Sequence, residues 1–249
     1  LNDYYNLWNR RMSMGEIVDD IYTMYEEFSK QPVLTADMLM DFESIKDKVI
    51  YKLVNYEKNR ELLSSIINMA YLDFAIIFCI HIDGNENGEK SILITDKLRE
   101  KWDVEVMELY DLAIVNTERI YPCTVKSMHQ VMIEMFKEKS AEALAEESLL
   151  EELETNLYVM TNTKEINGAT CIIYKGALHR FAEEVGSNLI ILPSSIHEVI
   201  LLPDKEGLDY EELKGMVESI NENTVPIDEV LSNQIYRYDS KTDSIKIME

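Results

Sequence analysis

At 249 residues, with 46% apolar and 29% charged residues and only 8 Gly and 5 Pro, the chain has the composition of a globular protein. It is long enough for one large hydrophobic core or two smaller ones. Its 47 acidic against 24 basic residues give a formal charge of −23, which argues against nucleic acid and membrane surfaces as partners, because both are bound chiefly through Lys and Arg.

Three cysteines, odd in number and widely spaced, do not read as a disulfide framework. That cysteine pattern fits a reducing cytoplasm, and no apolar run approaches the length of a bilayer span. The first predicted element is an amphipathic helix from Ser13 to Lys30, with Ile17, Ile21, Met24, Tyr25 and Phe28 on one face. Ser13 and Glu16 stand at capping-box spacing. A second helix is predicted from Thr35 to about Asp47. VIYKLVN and FAIIFCIHI then read as strands, and the polar DGNENGEK followed by SILIT completes a β-hairpin.

From Thr95 the period returns to helix through DKLREKW and VEVMELYDLAIVN, until Pro122 stops it. Thr124 to Lys137 reads as another helix, and AEALAEESLLEELE as an acidic helix able to bridge two lobes. Past Thr155 the pattern predicts strand LYVMT, strand ATCIIY and helix KGALHRFAEEV closed by Gly186. The paired apolar runs NLIILP and EVILLP follow, then a helix from Tyr210 to Asn221 and a short helix after Pro226. A terminal hairpin turns at Ser240 to Asp243. The expected class is α+β, with mixed or antiparallel sheets and β-hairpins packed against amphipathic helices. Two lobes are expected, residues 1–138 and 139–249, with one continuous domain as the alternative.

NGATCIIYKGALHRFAEEVGSNLIILPSSIHEVILLP, together with LNDYYNLWNRRMSMGEIVDDI, NYEKNRELL, DFAIIFCI and KLREKWDVEVMELYDLAIVNTERIYP, resembles an uncharacterised bacterial family, domain of unknown function 5688. The resemblance spans nearly the whole chain and implies a further N-terminal segment before the LNDYY-like stretch. It brings no activity and no catalytic residue. INMAYLDFA stands where the family is expected to be more basic and polar. The terminal VLSNQIYRYDSKTDSIKI is similar, more faintly, to the end of another uncharacterised bacterial family.

The polar knot Ser194, Ser195, His197 and Glu198, between two apolar runs, is the foremost candidate site. Acyl transfer needs a hydroxyl within hydrogen-bond reach of an oriented imidazole. Side chains two apart on a strand share a face but diverge, with Cα atoms roughly 6–7 Å apart, and the glycines of a nucleophile elbow are absent. A turn between buried strands, with Ser hydroxyls satisfying backbone groups, explains the same letters.

Other candidates have plain structural readings. Asp83 to Gly88 matches the first half of a calcium loop, but Ile94 stands where a carboxylate is required. His81 and Asp83 share a strand face without a third ligand in metal spacing. Cys123, ahead of the helix expected near Thr124, could have its thiolate favoured by the helix end, although a buried thiol is the simpler account. Tyr4, Tyr5, Tyr22, Tyr25, Tyr236 and Tyr238 could anchor a partner, and surface around the first helix is expected to pack against the missing segment. No cofactor, metal or catalytic set is assigned. The expected function is non-enzymatic binding of a protein or small molecule, centred on Pro193 to Glu198. The alternative is a hydrolase-like enzyme using Ser194 or Ser195, His197 and Glu198.

Overall fold

The computed structural model describes residues 13–19, 22, 35–85, 88–139 and 156–248. Residues 14–19 are helical, and Ser13 and Glu16 form the reciprocal capping box, at 2.8 and 3.3 Å. Of the rest of that predicted helix only Tyr22 is among the described residues, and the acidic segment after Ser140 lies outside them. Thr35 caps the next helix through its hydroxyl, but the helix runs only over α1, Ala36–Met40, before extended Asp41 breaks it. Helix α2, Phe42–Ile45, and a 3-10 turn at Lys46–Lys48 lead into the first sheet.

That sheet is antiparallel. Strand β1, Val49–Asn55, pairs with the long β3, Phe74–Asn85, whose other edge is shared end to end by β2, Asn68–Tyr71, and β4, Gly88–Leu93. Helix α3, Arg60–Leu63, fills the β1–β2 connection. The period of two decides the two faces. Val49, Tyr51, Leu53, Phe74, Ile76, Phe78 and Ile80 enter the main core, while Ile50, Ala75, Ile77 and Cys79 enter a second cluster on the opposite face.

Helices α4, Asp96–Trp102, and α5, Val106–Ile120, follow as expected, and α5 lies along β1. Buried polar residues cover the outer edge of β1. The hydroxyls of Thr117 and Thr170 accept the N–H groups of Tyr51 and Leu53 at 3.0 and 3.3 Å, and Asn116 donates to the Val49 carbonyl at 3.0 Å. Backbone groups that an edge strand would otherwise leave unpaired are thereby satisfied inside the molecule.

The second sheet is also antiparallel, in the order β10-β9-β7-β8-β6-β5. Its strands are β5, Cys123–Ser127; β6, Tyr158–Asn162; β7, Leu189–Pro193; β8, Val199–Pro203; β9, Tyr236–Asp239; and β10, Ser244–Ile247. Here the structure corrects the expected helix from Thr124. Residues 123–127 form a strand along β6, and only Met128–Lys139 is helical, as α6. Cys123 therefore begins a strand, and the helix that follows starts only at Met128.

The expected strand ATCIIY is instead a 3-10 helix, Gly168–Ile173. A segment buried on nearly all sides shows no period that separates strand from helix, and left-handed Asn167 (φ 53°) turns the chain into it. Helix α7, Ala177–Val185, ends at left-handed Gly186 as expected, and α8 spans Tyr210–Asn223. The helix expected after Pro226 is a single turn, closed by Glu229 N–H donating to the Pro226 carbonyl. The terminal hairpin forms as read. The class is α+β, with both sheets antiparallel.

One apolar cluster includes the inward residues of both sheets, and Phe74 meets Tyr236 with ring centres 5.1 Å apart. Asp73, in the β2–β3 turn, closes this seam. Its carboxylate accepts from Ser232 at 2.6 Å and from Tyr236 at 2.7 Å, and both donors are buried. Replacing Asp73 by Ala strands two buried hydroxyls and is expected to cost about 2–4 kcal/mol. The denaturant midpoint reads this loss, and Asp73→Asn, which keeps one acceptor oxygen, should lose less.

Candidate functional site

Pro193 and Val199 pair directly, so Ser194 to Glu198 form the loop of the β7–β8 hairpin. Ser195 N–H donates to the Glu198 carbonyl at 3.2 Å, and Ser195 Oγ accepts from His197 N–H at 3.0 Å. The loop is then tied to three other segments. Ile196 N–H donates to the Glu229 carbonyl (2.8 Å), Ala169 N–H donates to the Ile196 carbonyl (3.2 Å), and the Thr161 hydroxyl donates to the His197 carbonyl (2.7 Å).

His197 Nδ1 accepts the Asn167 backbone N–H at 3.2 Å, which places the proton of the neutral ring on Nε2, 3.7 Å from a Glu229 carboxylate oxygen. The ring is about one-third open to solvent. The Ser195 hydroxyl is engaged by backbone, and Ser194 makes a long 3.5 Å contact with the Glu198 carboxylate. The structure thus brings the four candidates into one loop but directs both ring nitrogens toward Asn167 and Glu229. Glu229 and Asn167 were invisible to local reading, being far from the motif in the chain.

Gly168 makes this clasp possible. A Cβ there would lie 2.0 Å from Thr161 Oγ1, 2.4 Å from the His197 carbonyl oxygen and 2.8 Å from Asn162 N. Nothing larger than hydrogen fits between strand β6 and the loop.

A separate feature lies where the 3-10 helix leaves the core. A cleft of about 220 Å³ is lined by Tyr71 of β2, Tyr110 of α5, Tyr174 and Lys175 after the 3-10 helix, and Tyr238 and Asp243 of the terminal hairpin. Aliphatic side chains, Ile76 and Ile172 among them, complete its walls. Burial raises the pKa of Tyr71, Tyr174 and Tyr238, so all three stay neutral hydroxyls at physiological pH. Tyr174 donates to the Tyr121 carbonyl at 3.0 Å, and Tyr238 to Asp243 at 2.6 Å. Tyr51 contacts both Tyr110 and Tyr174, with ring centres 6.3 Å apart, and its buried hydroxyl finds no hydrogen-bond partner among the described residues. A second, more open depression of about 410 Å³ lies by Asp204, Tyr210 and Arg237, where Arg237 is already paired with Asp204 at 2.6 Å.

A family model matches residues 1–240. The chain belongs to DUF5688, a family of unknown function. No curated protein and no solved structure matches it. The family resemblance read from the sequence is therefore shown, and the residues that matter in this DUF5688 member rest on its own geometry.

The remaining sequence candidates separate. His81 Nδ1 meets the Tyr121 hydroxyl at 2.9 Å. The β3–β4 hairpin forms, with a register shift between Ile82 and Asn85, while the side chains at 83–89 and residues 86–87 lie outside the description. Among the described residues no group of three His, Cys, Asp or Glu side chains is placed to hold a metal ion, and no helix is long and apolar enough to cross a membrane. Tyr22 is exposed, Tyr236 and Tyr238 are core residues, and Tyr4, Tyr5 and Tyr25 fall outside the described residues. Cys123 and Cys171, far apart in sequence, are brought into one apolar cluster, where each thiol perturbs the ionisation of the other.

Replacing Gly168 by Ala is expected to destabilise the protein by about 3 kcal/mol, because backbone on both sides must shift. In α8, Gly215 has open space around its Cβ position, and Gly215→Ala should stabilise by about 0.5–1 kcal/mol. Urea unfolding of the two variants checks the pair.

Proposed function

We propose that this DUF5688 member is a non-enzymatic binding protein that takes a small amphipathic molecule into the tyrosine-lined cleft. The observation that carries this reading is convergence: Tyr71, Tyr110, Tyr174 and Tyr238 come from four separate parts of the chain to wall one cavity. A largely apolar, concave site with a few polar groups is the usual form of a ligand pocket. This one is smaller than the roughly 300–1,000 Å³ that enclose drug-sized ligands, so the occupant is a single ring or a short side chain. Lys175 and Asp243 offer one charge of each sign at the wall.

The serine and imidazole loop supports this choice by what its groups already do. A general base must have a nitrogen free to take the hydroxyl proton, whereas Nδ1 of His197 holds the Asn167 N–H and the protonated Nε2 faces Glu229. The loop is better read as the clasp that positions the 3-10 helix and hence the cleft. Three free cysteines support a cytoplasmic setting, and the charge of −23 supports partners other than nucleic acid or anionic membranes.

Saturation-transfer NMR with phenol, indole and free tyrosine as probes tests the cleft. Binding of at least one probe is expected, weakened by about tenfold in Tyr71→Ala, the scale of losing one aromatic contact. His197→Ala should leave that affinity near the native value while lowering stability. Equal affinity in the native protein and Tyr71→Ala would move the binding site elsewhere.

A further inference from the structure

Strand β5 opens with Cys123, opposite Asn162 of β6, and the next rung pairs Thr124 with Thr161. Cys171, on the 3-10 helix, points its Sγ at the Thr161 carbonyl at 3.2 Å. Three residues further on, Tyr174 donates to the carbonyl of Tyr121, two residues before Cys123. Cys123 and Cys171 thus sit on adjoining segments and in the same apolar cluster, and each thiol perturbs the ionisation of the other. Cys171 is fully buried, while Cys123 is partly open to solvent. Cys79 is also buried, on the other face of the first sheet.

We infer that Cys123 and Cys171 are a reversible modification site, forming an intramolecular disulfide when the protein meets a hydroperoxide. The open member is the attacking thiolate and the buried member resolves it. In the first step the Cys123 thiolate attacks one peroxide oxygen, the O–O bond breaks, hydroxide leaves and Cys123 becomes a sulfenic acid. In the second, the Cys171 sulfur attacks that of Cys123, the S–OH bond breaks and water leaves with the Cys171 proton. In sum, two thiols and one hydrogen peroxide give one disulfide and two waters.

The surroundings of the pair favour this division of labour. The neighbouring Cys171 thiol lowers the pKa of Cys123, and the positive charge of Arg180 acts in the same direction, while burial and Glu118 oppose it. Cys171 is pushed up by its neighbour Cys123 and then by its own burial. Its single proton can serve either the Thr161 carbonyl or the Cys123 sulfur, and ionisation of Cys123 turns it toward the sulfur. Once Cys123 is a neutral sulfenic acid, the negative charge that held the Cys171 proton is gone. Resolution then follows within the pair.

The test is peptide mapping of the reduced full chain after exposure to equimolar hydrogen peroxide and alkylation of remaining thiols. A product lighter by two hydrogens is expected, carrying a Cys123–Cys171 cross-linked peptide, with Cys79 still alkylatable after unfolding. Dithiothreitol should restore both thiols. Cys171→Ser should stop at a Cys123 sulfenic acid captured by dimedone, and Cys123→Ser should show neither product. The pH midpoint for alkylation of Cys123 in the native protein should lie below the ordinary thiol range and rise in Cys171→Ala. A cross-link through Cys79, a link between two chains, or oxidation of Cys123 to a sulfinic acid with no cross-link would each overturn the inference. The wild-type map decides the matter even if a variant fails to fold.

Discussion

The 3-10 helix Gly168–Ile173, buried between the two sheets, is the constraint on which the rest of this structure depends. It can lie there only because Gly168 lets β6 and the β7–β8 loop approach to a distance that excludes a methyl group. Each following residue then serves a different neighbour. Ala169 bonds the Ile196 carbonyl, Thr170 accepts from the edge of β1, Cys171 reaches Thr161, and Tyr174 reaches Tyr121. The loop that looks catalytic, the tyrosine cleft and the thiol pair are three consequences of seating one short helix.

Burying so many polar groups is costly unless each is paired. Here the pairing is largely by side chains acting on backbone: Thr117, Thr170 and Asn116 at β1, Asn55 on the Leu231 carbonyl, and Asn221 on the Ser232 carbonyl. Such contacts join segments distant in sequence, so they give the core a unique arrangement that apolar packing alone would leave degenerate. The Asp73 clasp works in the same way at the seam. Among the described residues the buried polar side chains are hydroxyls and amides rather than acids, so the high negative charge has little part in the fold. It acts on what the surface attracts or repels.

The functional reading follows from which groups are already committed and which are open. In the β7–β8 loop, hydroxyls, carbonyls and ring nitrogens face other parts of the chain, which makes the loop a joint. In the cleft, rings, aliphatic walls and one charge of each sign border open space. The Tyr51 hydroxyl just behind that wall, without a hydrogen-bond partner among the described residues, is a polar group left at a cost, as binding sites tend to retain. The thiol pair adjoins the cleft, Cys171 standing next to Ile172 of the wall, so its oxidation would tether β5 to the element that shapes the cleft.

The sequence by itself determined the local elements whose signals are local. The capping box at Ser13, the strand VIYKLVN, helices α4, α5 and α7, the left-handed stop at Gly186 and the terminal hairpin were all legible, as were the α+β class and the family. It failed where a segment takes its form from its surroundings. ATCIIY has strand-like residues but is buried on nearly all sides and turned by Asn167, and Thr124 to Ser127 became a strand because β6 offered an edge. The candidate site was half legible: the knot of Ser194, Ser195, His197 and Glu198 could be read as a turn, but its partners Asn167, Thr161 and Glu229 could not. The converging tyrosines and the meeting of Cys123 with Cys171 were decided only by tertiary structure. Periodicity and capping report contacts within a few residues, whereas these groups meet across tens of residues, where only the packing of the two sheets sets the distance.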